Sequence, residues 1–392
     1  MKNLILTLFT APILFCSCSD NTNSDKSIID VASVVGKGSV HNVSEFIKEI
    51  KYIPLETGPN SMVDIIKSLT IENDKIYIGD EKGVINIFDI NGKYLTTLNR
   101  IGKGPEEYLG MLDFTVTTEE NIYILTMEGE VIWYDTDLKF IKRMPLPKNA
   151  MLLSFTLLKS ELFASRSINI STNPFKQEWI VYDNMLNILF SYDSKPNNSF
   201  INPPTAYIYD NTLRLYSNKS DTIFNVDIEN NYSLSAGYIT NYGKYSSLET
   251  ENSNNSISLG YIIETSNYLF LRFNFNQLAP EPFEMKAREE EIEGGTRRIG
   301  GGINREVYAV YNKKGGELAL LNQPVPGTLG LKNDLTNGPA FYPRFITVNQ
   351  KLIAWHEAHE LISLAEEGKI DKSIVANLKE NDNPVIVIAT PK

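Results

Sequence analysis

Two stretches of this chain repeat each other at a fixed offset of 46 residues, and that repeat restricts the fold more than any other feature. The first copy opens on Ile76-Tyr77-Ile78, passes Gly83 and the run Val84 to Phe88, and ends on Asp89 and Lys93-Tyr94-Leu95. The second sets Ile122-Tyr123-Ile124, Gly129, Glu130 to Tyr134, Asp135 and Lys139-Phe140-Ile141 in the same register, without a gap. Apolar and polar residues alternate within the runs, which is the period of a strand. Short strands repeating every 40 to 50 residues or so predict a β-propeller, because each sheet buries its faces only against its neighbours.

The rest of the chain follows the same plan. Repeat one spans about 62–98 and repeat two about 111–144. In a third, Leu152 to Leu158 and Glu161 to Ser165 precede Trp179 to Phe190, where Tyr182-Asp183 matches the earlier aromatic-Asp pairs. A fourth runs over about 205–239. A fifth starts at Leu259, has Tyr268 to Phe275 as its clearest strand and resumes at Glu306 to Tyr311 after a long insertion. Arg344 to Val348, Lys351 to Trp355 and Pro384 to Ala389 supply a sixth. The expected fold is all-β, a six-bladed propeller of four-stranded blades over residues 46–392.

Strands are expected at Ile28 to Val35 and Ile47 to Leu55, and the strands before residue 56 pair with Pro384 to Ala389 to close the ring. Asn91-Gly92 predicts a two-residue hairpin turn with both φ positive, whereas Asp137-Leu138 lacks the glycine and predicts another turn. Between Glu360 and Glu380, Leu361, Leu364, Ile370, Ile374 and Leu378 carry helical spacing broken at Gly368, which predicts two short inserted helices.

A formal charge of −11 argues against nucleic acid or an anionic membrane surface as the partner. The only cysteines, Cys16 and Cys18, lie near the N-terminus, so no disulfide or cysteine-based metal site is expected in the folded domain. Lys2 and the apolar run Leu4 to Phe15 form a secretory signal peptide over 1–18. Ser17-Cys18 resembles a bacterial lipobox, with Cys18 as the lipidated residue. Several acyl chains there would anchor the protein stably in a membrane, and that anchor is its only expected membrane contact. Residues 19–45 then hold a polar tether and an N-terminal strand. Asp20 resembles the surface-export signal of Bacteroidetes lipoproteins, so an outer-membrane position, at the cell surface or facing the periplasm, is expected.

Tyr52-Ile53-Pro54-Leu55-Glu56-Thr57 and Gly102-Lys103-Gly104-Pro105-Glu106-Glu107-Tyr108 resemble segments of the six-bladed β-propeller lipoproteins of Bacteroidetes, which are loosely similar to NHL-repeat propellers. Tyr242-Gly243-Lys244-Tyr245, Asn333-Asp334-Leu335 through Phe341-Tyr342-Pro343, and Asn383-Pro384-Val385 fit the same family. The resemblance covers about residues 45–392. It implies the fold and transfers no catalytic residue, because fold does not fix function.

The candidate ligand residues fall in two connecting loops. In one, Arg100, Lys103 and Glu107 offer charge and Tyr108 a stacking surface. The alternative there is a shaped blade-to-blade crossover, relieved by its glycines and stiffened by Pro105. The loop lacks the Gly-Lys-Ser/Thr ending that phosphate binding needs. In the other, Asn333, Asp334, Tyr342 and Arg344 could bond a sugar or a cation, or else form an Asx turn with aromatic packing. His356-Glu357-Ala358-His359-Glu360 spaces its histidines three apart rather than four, so it fails as a zincin motif. The only other histidine is His41. Within the insertion at 276–304, the charge runs and glycines of Glu289 to Gly302 predict a solvated loop, or a lid over the channel.

These features predict a binding propeller of the cell envelope. A glycan, a peptide or an envelope protein would meet the face where the blade-connecting loops converge. Tyr108 and Tyr342 would serve as platforms, and Arg100, Lys103 and Arg344 would orient the ligand. No cofactor is expected, although an all-carboxylate calcium site in the channel fits the composition. The alternative is a propeller enzyme of lyase, lactonase or hydrolase type with such a cation.

Overall fold

The computed structural model describes residues 27–146, 150–159, 162–169, 176–193, 205–216, 220–246, 254–292 and 295–392. Cys18, the signal peptide and most of the tether lie outside them. The repeat folds as antiparallel meanders. Sheet one consists of Ile66–Glu72, Lys75–Asp80, Ile85–Asp89 and Tyr94–Leu98. Its second strand is buried almost throughout because neighbours cover both faces, while the outermost strand is half exposed. That difference explains why Ile76 to Ile78 reads as an unbroken apolar run and Tyr94 to Leu98 does not.

Sheet two is Met111–Val116, Ile122–Thr126, Glu130–Tyr134 and Phe140–Pro145. Sheet three is Ala150–Lys159, Leu162–Asn169, Lys176–Tyr182 and Ile188–Asp193. Sheet four contains Thr205–Tyr209, Thr212–Tyr216, Thr222–Asp227 and Ser233–Asn241. Sheet five is Ser258–Glu264, Tyr268–Asn274, Glu306–Asn312 and Leu318–Leu321. The closing sheet takes Phe345–Ile346, Leu352–His356 and Val385–Pro391 from the end of the chain and Ile47–Pro54 from its start. Ile47–Pro54 pairs antiparallel with Val385–Pro391, so the two chain ends share one sheet.

Five of these are four-stranded blades rather than the six expected. Sheet four differs because Ile28–Asp30 joins its outer edge in parallel, as a fifth strand beside Ile239–Asn241. That strand ends at Asp30 instead of reaching Val35, since Val34 N–H bonds Val31 O and the chain turns at Gly36, with φ +78°. The segment then runs along the outer edges of the next sheets, bridging Ser39 to Leu321 and Asn42 to Lys332. Its helical turn Val43–Phe46 leads into the closing sheet.

The core is divided into layers between consecutive sheets. Tyr77, Ile87, Ile124 and Tyr134 fill the space between sheets one and two, and Phe270, Val310, Leu331 and Ala389 that between sheet five and the closing sheet. Ile78, Phe88, Ile353 and Ile386 join the closing sheet to sheet one, which makes the arrangement a propeller-like ring.

The repeat landmark Asp89 has a local cause. Its carboxylate accepts from the N–H groups of Asn91 and Lys93, and Gly92 N–H bonds Asp89 O. Only Gly92 has positive φ, so the loop is a three-residue turn rather than the expected two-residue one. Asp135 and Asp183 cap the same turn, with Leu138 and Leu186 in the glycine's place at φ +61°. The turn at Asp137-Leu138 is therefore not of another type. Gly92 is needed because a Cβ there would sit 2.2 Å from Pro54 O.

The insertion in sheet five is not an irregular loop. Phe283–Ile292 and Gly295–Asn304 pair as a two-stranded antiparallel hairpin. The helical insertion is the α-helix Ala358–Glu366 and the short 3-10 turn Lys372–Val375, broken at Gly368 with φ +70°. Leu361, Ala365 and Ile370 pack it against Val385 and Tyr52. Among the described residues no helix is long and apolar enough to cross a membrane.

Candidate functional site

A cleft of about 670 Å³, lined by polar and apolar groups alike, opens between sheet one and the connection that leads into it from the closing sheet. Its outer wall is the connection 55–65, which carries Pro59, Asn60, Met62 and Asp64 from the outermost strand of one sheet to the innermost strand of the next. Its floor comes from sheet one. Asp80 sits at the end of the second strand, and Lys82 and Val84 lie in the turn beyond. Asn86, Tyr94 and Thr97 come from the outer two strands.

Hydrogen bonds fix the floor. The Tyr94 and Thr97 hydroxyls lie 2.8 Å apart, Thr97 Oγ1 donates to Asn86 Oδ1 at 2.7 Å, and Asn86 Nδ2 reaches Met62 O at 3.4 Å. Asp80 is buried and accepts from Val84 N–H at 2.9 Å, closing the turn that Gly83 makes possible at φ +88°. Lys82 Nζ pairs with Asp64 at 2.6 Å. The wall is pinned by Asn383, whose side chain bonds Val63 N–H and the carbonyls of Glu56 and Ser61.

Burial pushes the Asp80 carboxyl up from its ordinary value of 3.8. The Asp64 charge adds to that rise, and the Val84 N–H opposes it. The charged form of Asp80 therefore costs the fold stability, and that cost disappears as pH falls and the native state takes up the proton ahead of the unfolded chain. Asp80→Asn keeps an acceptor for Val84 and is expected to raise the melting temperature at pH 7. The gain should shrink toward pH 4, and thermal melts at both pH values check it.

The residues expected from sequence lie elsewhere. Tyr108 is buried, donates to Gly83 O at 2.6 Å and offers no stacking face. Glu107 turns back on its own loop and accepts from Gly104 N–H at 2.8 Å, while Arg100 and Lys103 are exposed. A parallel bridge between Ile101 and Tyr108 closes this segment as a shaped crossover. Asn333 is buried and donates to the Tyr52 hydroxyl at 2.8 Å, and Asp334 accepts from Ser44 N–H at 2.9 Å. Tyr342 donates to Leu271 O and Ala309 O and packs on Tyr308, so it braces sheet five instead of presenting a platform. Arg344 is exposed, with its guanidinium 4.2 Å from the Trp355 ring centroid. The two groups therefore sit in separate crossovers, each tied to its own blades.

His356 ends a strand and His359 lies in the following helix, exposed. Among the described residues, no group of three or more histidines, cysteines, aspartates or glutamates could hold a metal. Burial, helped by the Arg344 charge, drives the His356 ring down to about 4 from 6.5. The unfolded chain then takes up that proton first, so this contribution to stability is intact above pH 6.5 and is lost as pH falls toward 4. Denaturant melts of wild type and His356→Gln across that window are expected to converge as pH drops.

The cleft residues were missed by sequence reasoning, yet the repeat carried a trace of them. At the 46-residue offset, Asn86 matches Ile132, which is wholly buried in the core. Asp80 matches Thr126, whose hydroxyl caps the equivalent turn by accepting from Glu130 N–H at 3.3 Å. A polar residue where its twin is apolar, and a charge where its twin is neutral, were the available signals.

The chain is similar to a family of known profile and, in fold, to a solved structure. The family profile described as Domain of unknown function (DUF4934) matches residues 26–390. A candidate exported protein of Bacteroides fragilis NCTC 9343 has a similar structure, with TM-score 0.64 and 16% identity over 93% of this chain and 99% of that one. The structure of U3-55K is more distant, with TM-score 0.46 and 10% identity over 89% of this chain and 99% of that one. BamB from Moraxella catarrhalis matches with TM-score 0.37 and 10% identity over 88% and 99%. No curated protein matches the chain.

Proposed function

Because the chain belongs to the DUF4934 family, whose profile spans nearly its whole length, we propose that it acts as an exported binding propeller. The ligand site is the cleft between sheet one and the crossover that leads into it. One observation carries this reading: a concave site of ligand size, with a buried carboxylate and a fixed chain of hydroxyl and amide groups in its floor. We count the five-stranded sheet as a blade, so the ring is six-bladed, as in the NHL-like lipoproteins the sequence resembles. The candidate exported protein of Bacteroides fragilis, similar in fold, supports an envelope location.

On this reading Cys18 carries the lipid and the protein is anchored at the outer membrane. The described chain begins on the edge of sheet four, far around the ring from the cleft, which leaves the cleft open to a glycan, a peptide or an envelope protein. Arg100, Lys103 and Arg344 are exposed charges on the crossovers and would meet a large partner beyond the cleft rim.

A buried carboxylate of weakened acidity beside a second carboxylate also suits acid–base chemistry. That observation keeps an enzyme of lyase, lactonase or hydrolase type as the second reading, with the two carboxylates rather than a bound cation as the groups that carry it. A thermal-shift screen of the chain from Ser19 onward tests the proposal, using glycans, peptides and divalent cations with and without chelator. Asn99 lines the rim just past the outermost strand of sheet one, opposite Asn60 in the crossover, and a ligand-induced shift abolished by Asn60→Ala with Asn99→Ala supports the cleft. A shift insensitive to them but lost with Arg100→Ala and Lys103→Ala moves the site to the crossover. A shift accompanied by turnover, whether or not chelator removes it, establishes the enzyme.

A further inference from the structure

The geometry points to a neutral oligosaccharide as the occupant of the cleft, an inference that rests on the binding reading above. The charges come first. Two carboxylates, Asp64 and Asp80, face one ammonium, Lys82, and Asp64 already holds that ammonium at 2.6 Å. The balance is one negative charge, partly within a buried wall, so a phosphate, sulfate or uronate would enter against repulsion.

The hydrogen-bonding groups come second. Asn60 and Asn99 are exposed amides on the rim and offer both donors and acceptors. Asp80 is buried and held by the backbone N–H groups of Val84, Asp64 and Lys82, so it contributes charge to the floor while the rim amides supply the hydrogen bonds. Sugar hydroxyls, each both donor and acceptor on a single atom and closely spaced around a ring, match two isolated rim amides, whereas an extended peptide needs a strand edge to pair along.

Pro59, Met62 and Val84 supply the accessible apolar part of the lining, against which the C–H face of a pyranose can lie. The site is also built before the ligand arrives. The hydroxyl–amide chain through Thr97 and the three side-chain bonds of Asn383 hold floor and wall, so binding orders few groups and keeps more of its contact energy.

A glycan array probed with the full chain tests the inference, using neutral gluco-, manno- and xylo-oligosaccharides beside uronate-containing and sulfated ones and a library of short peptides. The expected result is binding confined to neutral glycans. Isothermal titration should then show at least a tenfold loss with Asn60→Ala and with Asn99→Ala, both exposed changes that leave the fold intact, and little change with Lys103→Ala on the other crossover. Preference for acidic glycans or for peptides, still sensitive to the Asn60 and Asn99 changes, would overturn the neutral-sugar inference and leave the cleft as the site. Glycan binding indifferent to both changes would overturn the cleft itself. No binding to any neutral glycan at millimolar concentration would overturn the inference as well.

Discussion

Replacing Glu264 with alanine is expected to destabilise the protein by about 3–5 kcal/mol, the largest effect of any single side-chain change we anticipate. Glu264 ends the innermost strand of sheet five and is buried. Its carboxylate takes Arg214 Nε at 3.2 Å and Lys313 Nζ at 2.8 Å, and accepts from the Tyr207 and Tyr238 hydroxyls at 3.0 and 3.2 Å. Arg214 and the two tyrosines belong to sheet four and Lys313 to the turn after a sheet-five strand, so one anion ties two blades together. Burial, then the Glu264 charge, raises both tyrosines above their ordinary values, so the hydroxyls stay protonated and keep donating.

Alanine would leave two cations with side chains only 12% and 15% exposed and no anion between them. Breaking such a pair costs far more than the intact pair contributes, because the remaining charges keep their desolvation penalty. By the size scaling of unfolding entropy, a loss of about 4 kcal/mol lowers the melting temperature of a chain this long by roughly 5 °C. The same reasoning predicts that removing all three charges, as Glu264→Leu with Arg214→Met and Lys313→Met, recovers most of the loss. Denaturant melts of the single and triple variants decide the matter. A Glu264→Ala protein within about 1 kcal/mol of wild type would mean that water screens the cluster.

The ring was legible in the sequence because its cause is periodic. Sheets one and two bury Ile and Tyr at matching positions, and in sheets one to four an aspartate caps the turn before the outer strand, so the repeat shows at once; sheet five uses Asn312 there, and the closing sheet has no such turn. Closure by the chain ends followed from the same logic and is what the pairing of Ile47–Pro54 with Val385–Pro391 shows. The strand at the start of the domain was expected at Ile28 to Val35, but its place as a fifth strand on sheet four was not legible. Ile28–Asp30 is three residues long, and nothing local says that its partner lies some two hundred residues away.

The candidate site was read poorly for a related reason. Exposed-looking aromatics in Gly-rich loops suggest platforms, but Tyr108 turns its hydroxyl to the Gly83 carbonyl in the neighbouring turn and Tyr342 to the carbonyls of sheet-five strands. Composition cannot separate a tyrosine that meets a ligand from one that satisfies a neighbouring blade. The cleft draws on residues from 59 to 99 whose meeting depends on the crossover wall, and that wall is held by a residue far along the chain.

That residue is Asn383, and its replacement by alanine is expected to destabilise the protein by about 3 kcal/mol, at roughly 1 kcal/mol for each backbone group left unpaired. Asn383 is buried between the helical insertion and the last strand. Its Oδ1 accepts from Val63 N–H at 2.9 Å, and Nδ2 donates to Glu56 O at 2.8 Å and Ser61 O at 2.7 Å. Its own backbone N–H bonds Thr57 Oγ1, a contact that survives the substitution. Val63 and Ser61 are buried too, so water cannot readily replace the lost partners. Because the segment so pinned is the cleft wall, ligand affinity should fall along with stability.

Asn383→Asp separates this account from a simple loss of packing. Aspartate fills the same volume and still accepts from Val63, but it presents an anion to two carbonyl oxygens. It should therefore destabilise at least as much as alanine at pH 7, and recover part of the loss when acid protonates it and restores one donor. An aspartate variant as stable as wild type at neutral pH would show that the carbonyls of Glu56 and Ser61 reach water, and that the wall stands without the amide.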